Sequence, residues 1–279
     1  MSKVVLITGG SRGIGKMARI FSKRLKLTFH ESFNQISTGF IRNGAKVYIS
    51  SRSAEDCEAT AAELTALGPG VCVAIPADLQ KYEEVERLAK ELATKEEALH
   101  VLVNNAGAAW GASIDDFPDA GFSKIITLNL QRVFTLTQKV LPLLRAAADK
   151  SKEGAIYADP ARIINIGSVE GLSVPPHETY SYSASKAALH HLSRHLASRL
   201  GSEGILSNTI ACGLFPSKMT AHTIKTAGDV IISRTIPLQR AGKPEDVAGT
   251  ALFLASPAGS FVTGATITVD GGFLVASKL

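Results

Sequence analysis

The chain holds little cysteine and less tryptophan: three thiols (Cys57, Cys72, Cys212) and one indole (Trp110) among 279 residues. The thiols stand at no metal-ligand spacing, so they read as free cysteines in a reducing compartment, not as a disulfide framework or a zinc site. No run approaches the ~18 apolar residues of a membrane span, and no spanning segment is expected. No secretory signal is expected in the opening "MSKVVLITGG", because its short apolar run already reads as a β-segment ending in a turn. Internal repeats, low-complexity tracts and Pro/Ser-rich linkers are missing too. With 45% apolar residues a large core is available, and one domain over 1–279 is the expectation.

A distributed positive field is also absent. The formal charge is +5 and the pI near 9.1, yet more than half of that excess sits in "ARIFSKRLKLTFHESFNQ" (18–35), where Arg19, Lys23, Arg24 and Lys26 face only Glu31. Elsewhere no basic stripe is interleaved with aromatics, so nucleic acid is not an expected partner.

Short β-branched runs alternate with longer segments of helical period. The runs are "KVVLIT" (3–8), "KVYIS" (46–50), "VCVAIP" (71–76), "HVLVNN" (100–105), "RIINIGS" (162–168), "ILSNTI" (205–210) and "TITVDG" (266–271). Between the third and fourth, "KYEEVERLAKELATKEEA" (81–98) puts Val85, Leu88 and Leu92 on one helical face. Strands that are apolar almost throughout belong to a parallel sheet covered on both faces. Their alternation with helices predicts an α/β, Rossmann-like doubly wound parallel seven-stranded sheet. Ligands of such sheets bind beyond the carboxyl ends of the strands, where the strand order reverses.

The chemistry-bearing residues fall at those ends. The first run closes in "TGGSRGIG", with Gly9, Gly13 and Gly15 between a strand and a helix. Glycine turns sharply and lets backbone approach a pyrophosphate with no Cβ in the way, and the N–H groups of the next helix then face the anion. The second run ends in "YISSRS", with no Asp or Glu to hold the ribose 2′-hydroxyl of NAD(H). Ser51 and Arg52 stand there instead, with Arg12 as a second cation. A guanidinium fork suits a 2′-phosphate, so NADP(H) is expected in preference to NAD(H).

In "TYSYSASKAALHH" (179–191) only Tyr182 lies four residues, one helical turn, before Lys186. A free phenol titrates near ~10. A neighbouring ammonium, together with the positive charge of an oxidised nicotinamide, is expected to lower that value. Such a phenol can protonate the alkoxide formed when hydride reaches a carbonyl, or take the proton back. Ser168, closing the fifth run, is placed to hold the carbonyl oxygen.

These stretches, with "ADL" (77–79), "NNAG" (104–107), "LNL" (128–130), "PEDVA" (244–248) and "TGATITVDGG" (263–272), occur in an order that resembles the short-chain dehydrogenase/reductase family along nearly the whole chain. The resemblance implies a tetrad of Asn129, Ser168, Tyr182 and Lys186, with Lys186 also holding the nicotinamide ribose and Asn129 anchoring a relay water. It implies a cofactor site of Gly9, Ser11, Arg12, Gly13, Ile14, Gly15, Ser51, Arg52, Asp78, Leu79, Asn105, Ala106, Gly107, Tyr182, Lys186, Gly213 and Leu214. Asp78 would meet the adenine, Asn105 would line the cleft, and Ile210 would border the nicotinamide. It also implies a homotetramer or homodimer built partly on helices around 122–145 and 182–200.

The chain departs from the family pattern in two places. Cys212-Gly213 replaces the usual Pro-Gly; Cys212 reads as a tolerated small apolar residue with no partner base. The larger departure is 18–35: deleting it leaves "GGSRGIGKM-ISTGFIRNGAKVYISSR", an uninterrupted helix, whereas keeping it adds about 27 Å of helix at ~1.5 Å per residue. The expectation is a retained intron or wrong splice site, with a true surface elaboration as the competing reading; if present, the segment weakens cofactor binding. The histidines at 190, 191 and 195 include an i, i+4 pair with metal spacing but no third ligand, so no metal is expected and they are placed on the exposed or subunit-facing side of their helix.

The resemblance makes residues 213–237 the family's variable substrate lid, with Phe215, Met219, Ile224, Val230 and Ile231 as apolar surface and Trp110 as a further wall. With the wording of "NNAGAAWG" and "CGLFPSKMT", this points to a hydrophobic small-molecule or acyl-thioester substrate, reduced as in 3-oxoacyl-thioester reductases, including the rhamnolipid branch. Ser277-Lys278-Leu279 matches a peroxisomal address read by an import receptor, with a cytoplasmic location as the alternative. Steroid, polyol or secondary-alcohol oxidation with the same tetrad, and a cofactor-binding scaffold with an idle site, remain open on sequence.

Overall fold

The computed structural model describes residues 3–9, 34–217 and 220–276. Strand β1 (Val4–Thr8) comes first, then helix α1 (Asn34–Arg42), β2 (Lys46–Ser50), α2 (Ala54–Ala66), β3 (Val71–Ala74), α3 (Tyr82–Lys95) and β4 (Val101–Asn104). Helix α4 (Asp119–Ile126) passes through a π-helical turn (Thr127–Gln131) into α5 (Arg132–Asp149). A small hairpin of β5 (Lys152–Glu153) and β6 (Ile156–Tyr157) precedes β7 (Ala161–Ser168), α6 (Tyr180–Leu200), β8 (Ile205–Cys212), α7 (Ala221–Thr235), α8 (Pro244–Ala255) and β9 (Thr266–Val269). Every apolar run of the sequence is a strand, and seven of them form one sheet in the order β3-β2-β1-β4-β7-β8-β9. All its pairings are parallel, as expected of strands that carry apolar side chains toward both faces.

Alternation along the strands splits the core in two. Leu6, Tyr48, Leu102, Ile163 and Ile205 face one side, against Leu88 and Leu92 of α3 and Val140 and Leu144 of α5. Val5, Ile7, Val47, Ile49, Val103, Ile164 and Ile166 face the other, against Phe40 and Ile41 of α1, Leu64 of α2 and Leu254 of α8. The α3 stripe read from the sequence is fully buried: Val85, Leu88 and Leu92 are each 0% exposed.

Helix ends follow local chemistry. Ser53 caps α2 by accepting the Asp56 N–H. Pro244 opens α8, where its missing N–H costs nothing. Asp246 in that first turn accepts the Lys243 N–H at 2.6 Å and pairs with Arg240, so "PEDVA" is a helix start held by its own carboxylate.

The strand order reverses between β1 and β4. There the Thr8 hydroxyl accepts the N–H groups of Asn105 and Ala106, both at 3.0 Å, and Asn105 Nδ2 donates to Thr8 O at 2.8 Å. Gly9 follows at φ +74°, and a Cβ on it would meet Ala106 Cα at 3.0 Å; the chain has room there for glycine alone. Residues 11–15 of the glycine loop (Ser11, Arg12, Gly13, Ile14 and Gly15) and 18–33 of the 18–35 segment lie outside the described residues; Asn34 and Gln35 open α1. No described helix is long and apolar enough to cross a membrane.

Candidate active site

Two cavities open at the carboxyl ends of the strands. One, of about 260 Å³, is lined by Gly9, Ser51, Arg52, Asp78, Leu79, Asn105, Ala106 and Gly107. This brings together every described residue placed toward the phosphate and adenine side. It is an elongated niche with glycine backbone at one end, Arg52 and no carboxylate at the end of β2, and an Asx turn in which Asp78 Oδ1 accepts the Gln80 N–H. The residues fit a dinucleotide carrying a 2′-phosphate: a close backbone approach at Gly9, and a guanidinium where an acid would repel the phosphate.

The second cavity, of about 330 Å³, is lined by Ser168, Tyr182, Lys186, Gly213 and Leu214, with Asn105 and Gly107 shared with the first. Helix α6 places Tyr182 and Lys186 one turn apart, and Lys186 Nζ lies 5.7 Å from the Tyr182 ring centroid. Ser168 comes from the end of β7; its Oγ accepts the Glu170 N–H at 3.2 Å, and its hydroxyl acts to lower the pKa of the Tyr182 phenol. Lys186 is 5% exposed and donates to Ile166 O at 2.7 Å. Asn129 sits in the π-helical turn, buried; its Oδ1 accepts the Ala108 N–H at 2.9 Å while Nδ2 donates to Ala108 O and Ser185 Oγ. It therefore clamps the backbone just past "NNAG". Gly107 passes between these groups: a Cβ there would lie 3.3 Å from Asn129 Oδ1 and 3.7 Å from Lys186 Nζ.

Charge in this pocket is governed by burial. Desolvation pushes the Tyr182 phenol well above its ordinary value; the Ser168 hydrogen bond pulls it down, and Glu170 and Cys212 add to the rise. The ammonium of Lys186 does not by itself bring the phenol below 10, contrary to the expectation from spacing alone. Its own pKa falls to about 8, because a charge in a nearly closed site loses hydration. Burial likewise pushes the Cys212 thiol up to about 12, leaving it a poor nucleophile.

Several expectations change at this point. Phe215 and Ile231 line the second cavity, but Val230 is 56% exposed and Met219 lies outside the described residues. Trp110 stacks on Gly121, whose Cβ would meet the indole at 3.2 Å, and lines neither cavity. Ile210 is fully buried in the core, and Ile166, its partner across the sheet, reaches the cavity.

His190 is not on an exposed face: it is 2% exposed and its Nε2 accepts the Ser168 N–H. Glu170 went unnoticed in the sequence. It lines the cavity and accepts hydrogen bonds from Thr179 Oγ1 at 2.7 Å and Ser183 Oγ at 3.1 Å, pinning the loop that leads into α6. Spacing was the available signal for His190, since 182, 186 and 190 share one helical face. Nothing local marked Glu170.

The family model described as enoyl-(acyl carrier protein) reductase matches residues 34–274. A rhamnolipids biosynthesis 3-oxoacyl-[acyl-carrier-protein] reductase of Pseudomonas aeruginosa is 43% identical over 272 residues, covering 97% of this chain and 96% of that protein. A 3-oxoacyl-[acyl-carrier-protein] reductase of Synechocystis is 34% identical, covering 98% of each. Among solved structures, an NADP active-site complex of Pseudomonas aeruginosa RhlG superposes with a TM-score of 0.83 at 42% identity, covering 97% and 96% of the two chains. A blue fluorescent protein from a metagenomic library, in complex with NADPH, gives 0.77 at 29% identity, covering 97% of each. Matched by that family model over most of its length, and by full-length relatives more than a third identical, the chain belongs to the short-chain dehydrogenase/reductase family.

Proposed function

We propose that this chain is an NADPH-dependent oxidoreductase that reduces the ketone of a 3-oxoacyl thioester, or a similar hydrophobic ketone, to a secondary alcohol. One observation carries the reading. Ser168, Tyr182 and Lys186 line the same cavity as the apolar Leu214, Phe215, Ile231 and Ile236, so proton-donating groups share a cavity with side chains that suit an alkyl chain. The relatives named for 3-oxoacyl-[acyl-carrier-protein] reduction and the NADP and NADPH complexes among the structural neighbours support it.

NADPH, when bound, supplies the hydride and leaves behind a cofactor with an added positive charge. Gly9, Ser51, Arg52, Asp78, Leu79, Asn105, Ala106 and Gly107 would hold it. The protein's part is positioning and proton delivery. Ser168 holds the carbonyl oxygen, and Tyr182 donates its proton to that oxygen as negative charge develops there. Lys186, with its pKa near neutrality at about 8, is suited to return a proton to the phenol. Asn129 keeps the Ala108 backbone in register beside them. A phenol that burial keeps protonated at neutral pH is ready as an acid and unready as a base, which favours reduction over alcohol oxidation.

Homo-oligomerisation through α4, α5 and α6 belongs to the same proposal, supported by Phe122 and Phe134, 39% and 45% exposed on α4 and α5; light scattering after gel filtration tests it. The peroxisomal address stands on Ser277, Lys278 and Leu279 alone, outside the described residues; "VDGGFLVASKL" fused to a fluorescent reporter decides it, a diffuse signal removing the claim. Residues 18–35 are proposed as retained from unspliced message; abundant transcript carrying them in active tissue would reject that.

The activity itself is tested by cofactor oxidation on a panel of 3-oxoacyl-CoA, 3-oxoacyl-carrier-protein, steroid and polyol substrates with NADPH and NADH, in forms with and without residues 18–35. The expected result is turnover of 3-oxoacyl thioesters with NADPH preferred. Turnover of no carbonyl, or preference for NADH, overturns it.

A further inference from the structure

We infer that His190 is a positioning residue for Ser168: its neutral ring holds the backbone at the end of β7 and so aims the Ser168 hydroxyl at Tyr182. This rests on the reading of Ser168 and Tyr182 given above.

The geometry begins with a missing strand partner. β4 pairs with β7 only as far as Asn104 opposite Asn165, so the last three residues of β7 run on without a neighbour on that side. Backbone groups there still need hydrogen bonds, and α6 supplies them from one face. Lys186 Nζ donates to Ile166 O at 2.7 Å, and His190 Nε2 accepts from Ser168 N at 3.4 Å.

Two glycines make room for the ring. A Cβ on Gly167 would meet His190 Nε2 at 2.2 Å, and one on Gly171 would meet Cε1 at 2.8 Å. The imidazole is thus wedged between the residue before Ser168 and the end of the turn after it. The alternation of β7 explains why: Ile163, Asn165 and Gly167 face α6, and only the residue without a side chain leaves space for a ring.

The bond requires Nε2 to be an acceptor, hence a neutral imidazole. Burial, Lys186 and Arg194 together push the His190 pKa down to about 4, so the ring stays neutral across the working range. With Nε2 accepting, the proton sits on Nδ1, which is buried without a hydrogen-bond partner among the described residues. An orphaned buried N–H is costly. That cost is tolerated where the wedge has a task.

The consequence falls on Tyr182, which is faced by Ser168, Glu170, Cys212 and Lys186. The Ser168 hydrogen bond is the one contact among them that lowers the phenol pKa in this structure. Loosening Ser168 removes it.

The test compares His190→Leu, which keeps bulk but offers no acceptor, with His190→Gln, whose Oε1 reaches the place of Nε2. Both are made in the full chain and assayed with NADPH and a 3-oxoacyl thioester. His190→Leu is expected to lower kcat at least tenfold, with KM and the NADPH Kd within twofold. It should also move the acid limb of kcat/KM for oxidation of the product alcohol to higher pH. His190→Gln is expected to restore kcat to within threefold of wild type and return the limb.

Wild-type kcat and pH limb in His190→Leu would overturn the inference, as would equal losses in both variants, which would mean that ring volume alone matters. Should His190→Leu not fold, His190→Asn takes its place: its oxygen falls short of Ser168 N, so it must reproduce the loss while His190→Gln does not. Tyr182→Phe run alongside separates the two layers. If it is inactive and His190→Leu is unimpaired, only this inference fails; if it turns over normally, the catalytic reading fails first.

Discussion

The pH dependence of stability carries a signature of the buried lysine. Lys186 is 5% exposed, and its pKa falls from 10.5 to about 8 in the folded protein. The folded value lies below the unfolded one, so between those two pH values the unfolded chain binds more protons and stability rises with pH. Below about 8 both states are charged and the full cost is present. Above 10.5 neither is charged and the cost is gone. At ~1.36 kcal/mol per pH unit the whole effect is about 3 kcal/mol, most of which is recovered between pH 7 and pH 10.

Lys186→Met is the reference that isolates it. The lost hydrogen bond to Ile166 O and any repacking change the variant's stability equally at all pH values. The raised phenol of Tyr182 titrates in both proteins and cancels. Urea unfolding of both cofactor-free proteins at half-unit steps should therefore show the wild type gaining about 2–3 kcal/mol on the variant from pH 7 to pH 10. A difference that stays flat across that range would mean Lys186 is hydrated in the native state, and the account of its pKa would be wrong.

Other perturbations act at separate places. Arg52→Asp puts an acid at the end of β2 in place of an exposed guanidinium. Losing a charge-assisted bond to the 2′-phosphate and adding repulsion should cut the NADPH-to-NADH ratio of kcat/KM by about a hundredfold or more, read from initial rates with each cofactor. Arg162 is 1% exposed in β7, bonded to Asp159 at 2.7 Å and to Ser256 O. It lies about 20 Å along the strand from Ser168 at ~3.3 Å per residue. Arg162→Met should therefore cost about 2 kcal/mol of stability by denaturant unfolding and leave kcat/KM within twofold.

Much of this arrangement was legible in the sequence because a parallel sheet writes itself as apolar runs. "KVYIS" is β2 residue for residue, and the Tyr182–Lys186 spacing placed both groups in one cavity. What stayed hidden has a common cause. The face that α6 turns to the protein interior is largely polar: Ser181, Ser185, Lys186, His190 and Ser193 are buried there beside Leu189, Ala197 and Leu200. Hydrophobic periodicity cannot find such a face, so His190 was assigned to the surface. Several of those groups meet partners far away in sequence, as when Asn165 Nδ2 donates to Ser193 Oγ.

Glu170 was invisible for the same reason, since its partners Thr179 and Ser183 reach it only through the fold. Trp110 was misplaced because a lone aromatic after a strand reads equally well as a cavity wall or as packing on Gly121. The π-helical turn that holds Asn129 has no residue-type signature in "TLNLQ"; it shows only in the bonds to Ala108.

The central claim is that the Tyr182 hydroxyl delivers the proton while NADPH delivers hydride. Steady-state turnover of Tyr182→Phe on a 3-oxoacyl thioester, with NADPH binding measured on the same preparation, tests it most directly. Removing a general acid should lower kcat by about 10²–10⁴-fold and leave the NADPH Kd within threefold. A variant that binds NADPH normally and turns over within a few-fold of wild type would contradict it.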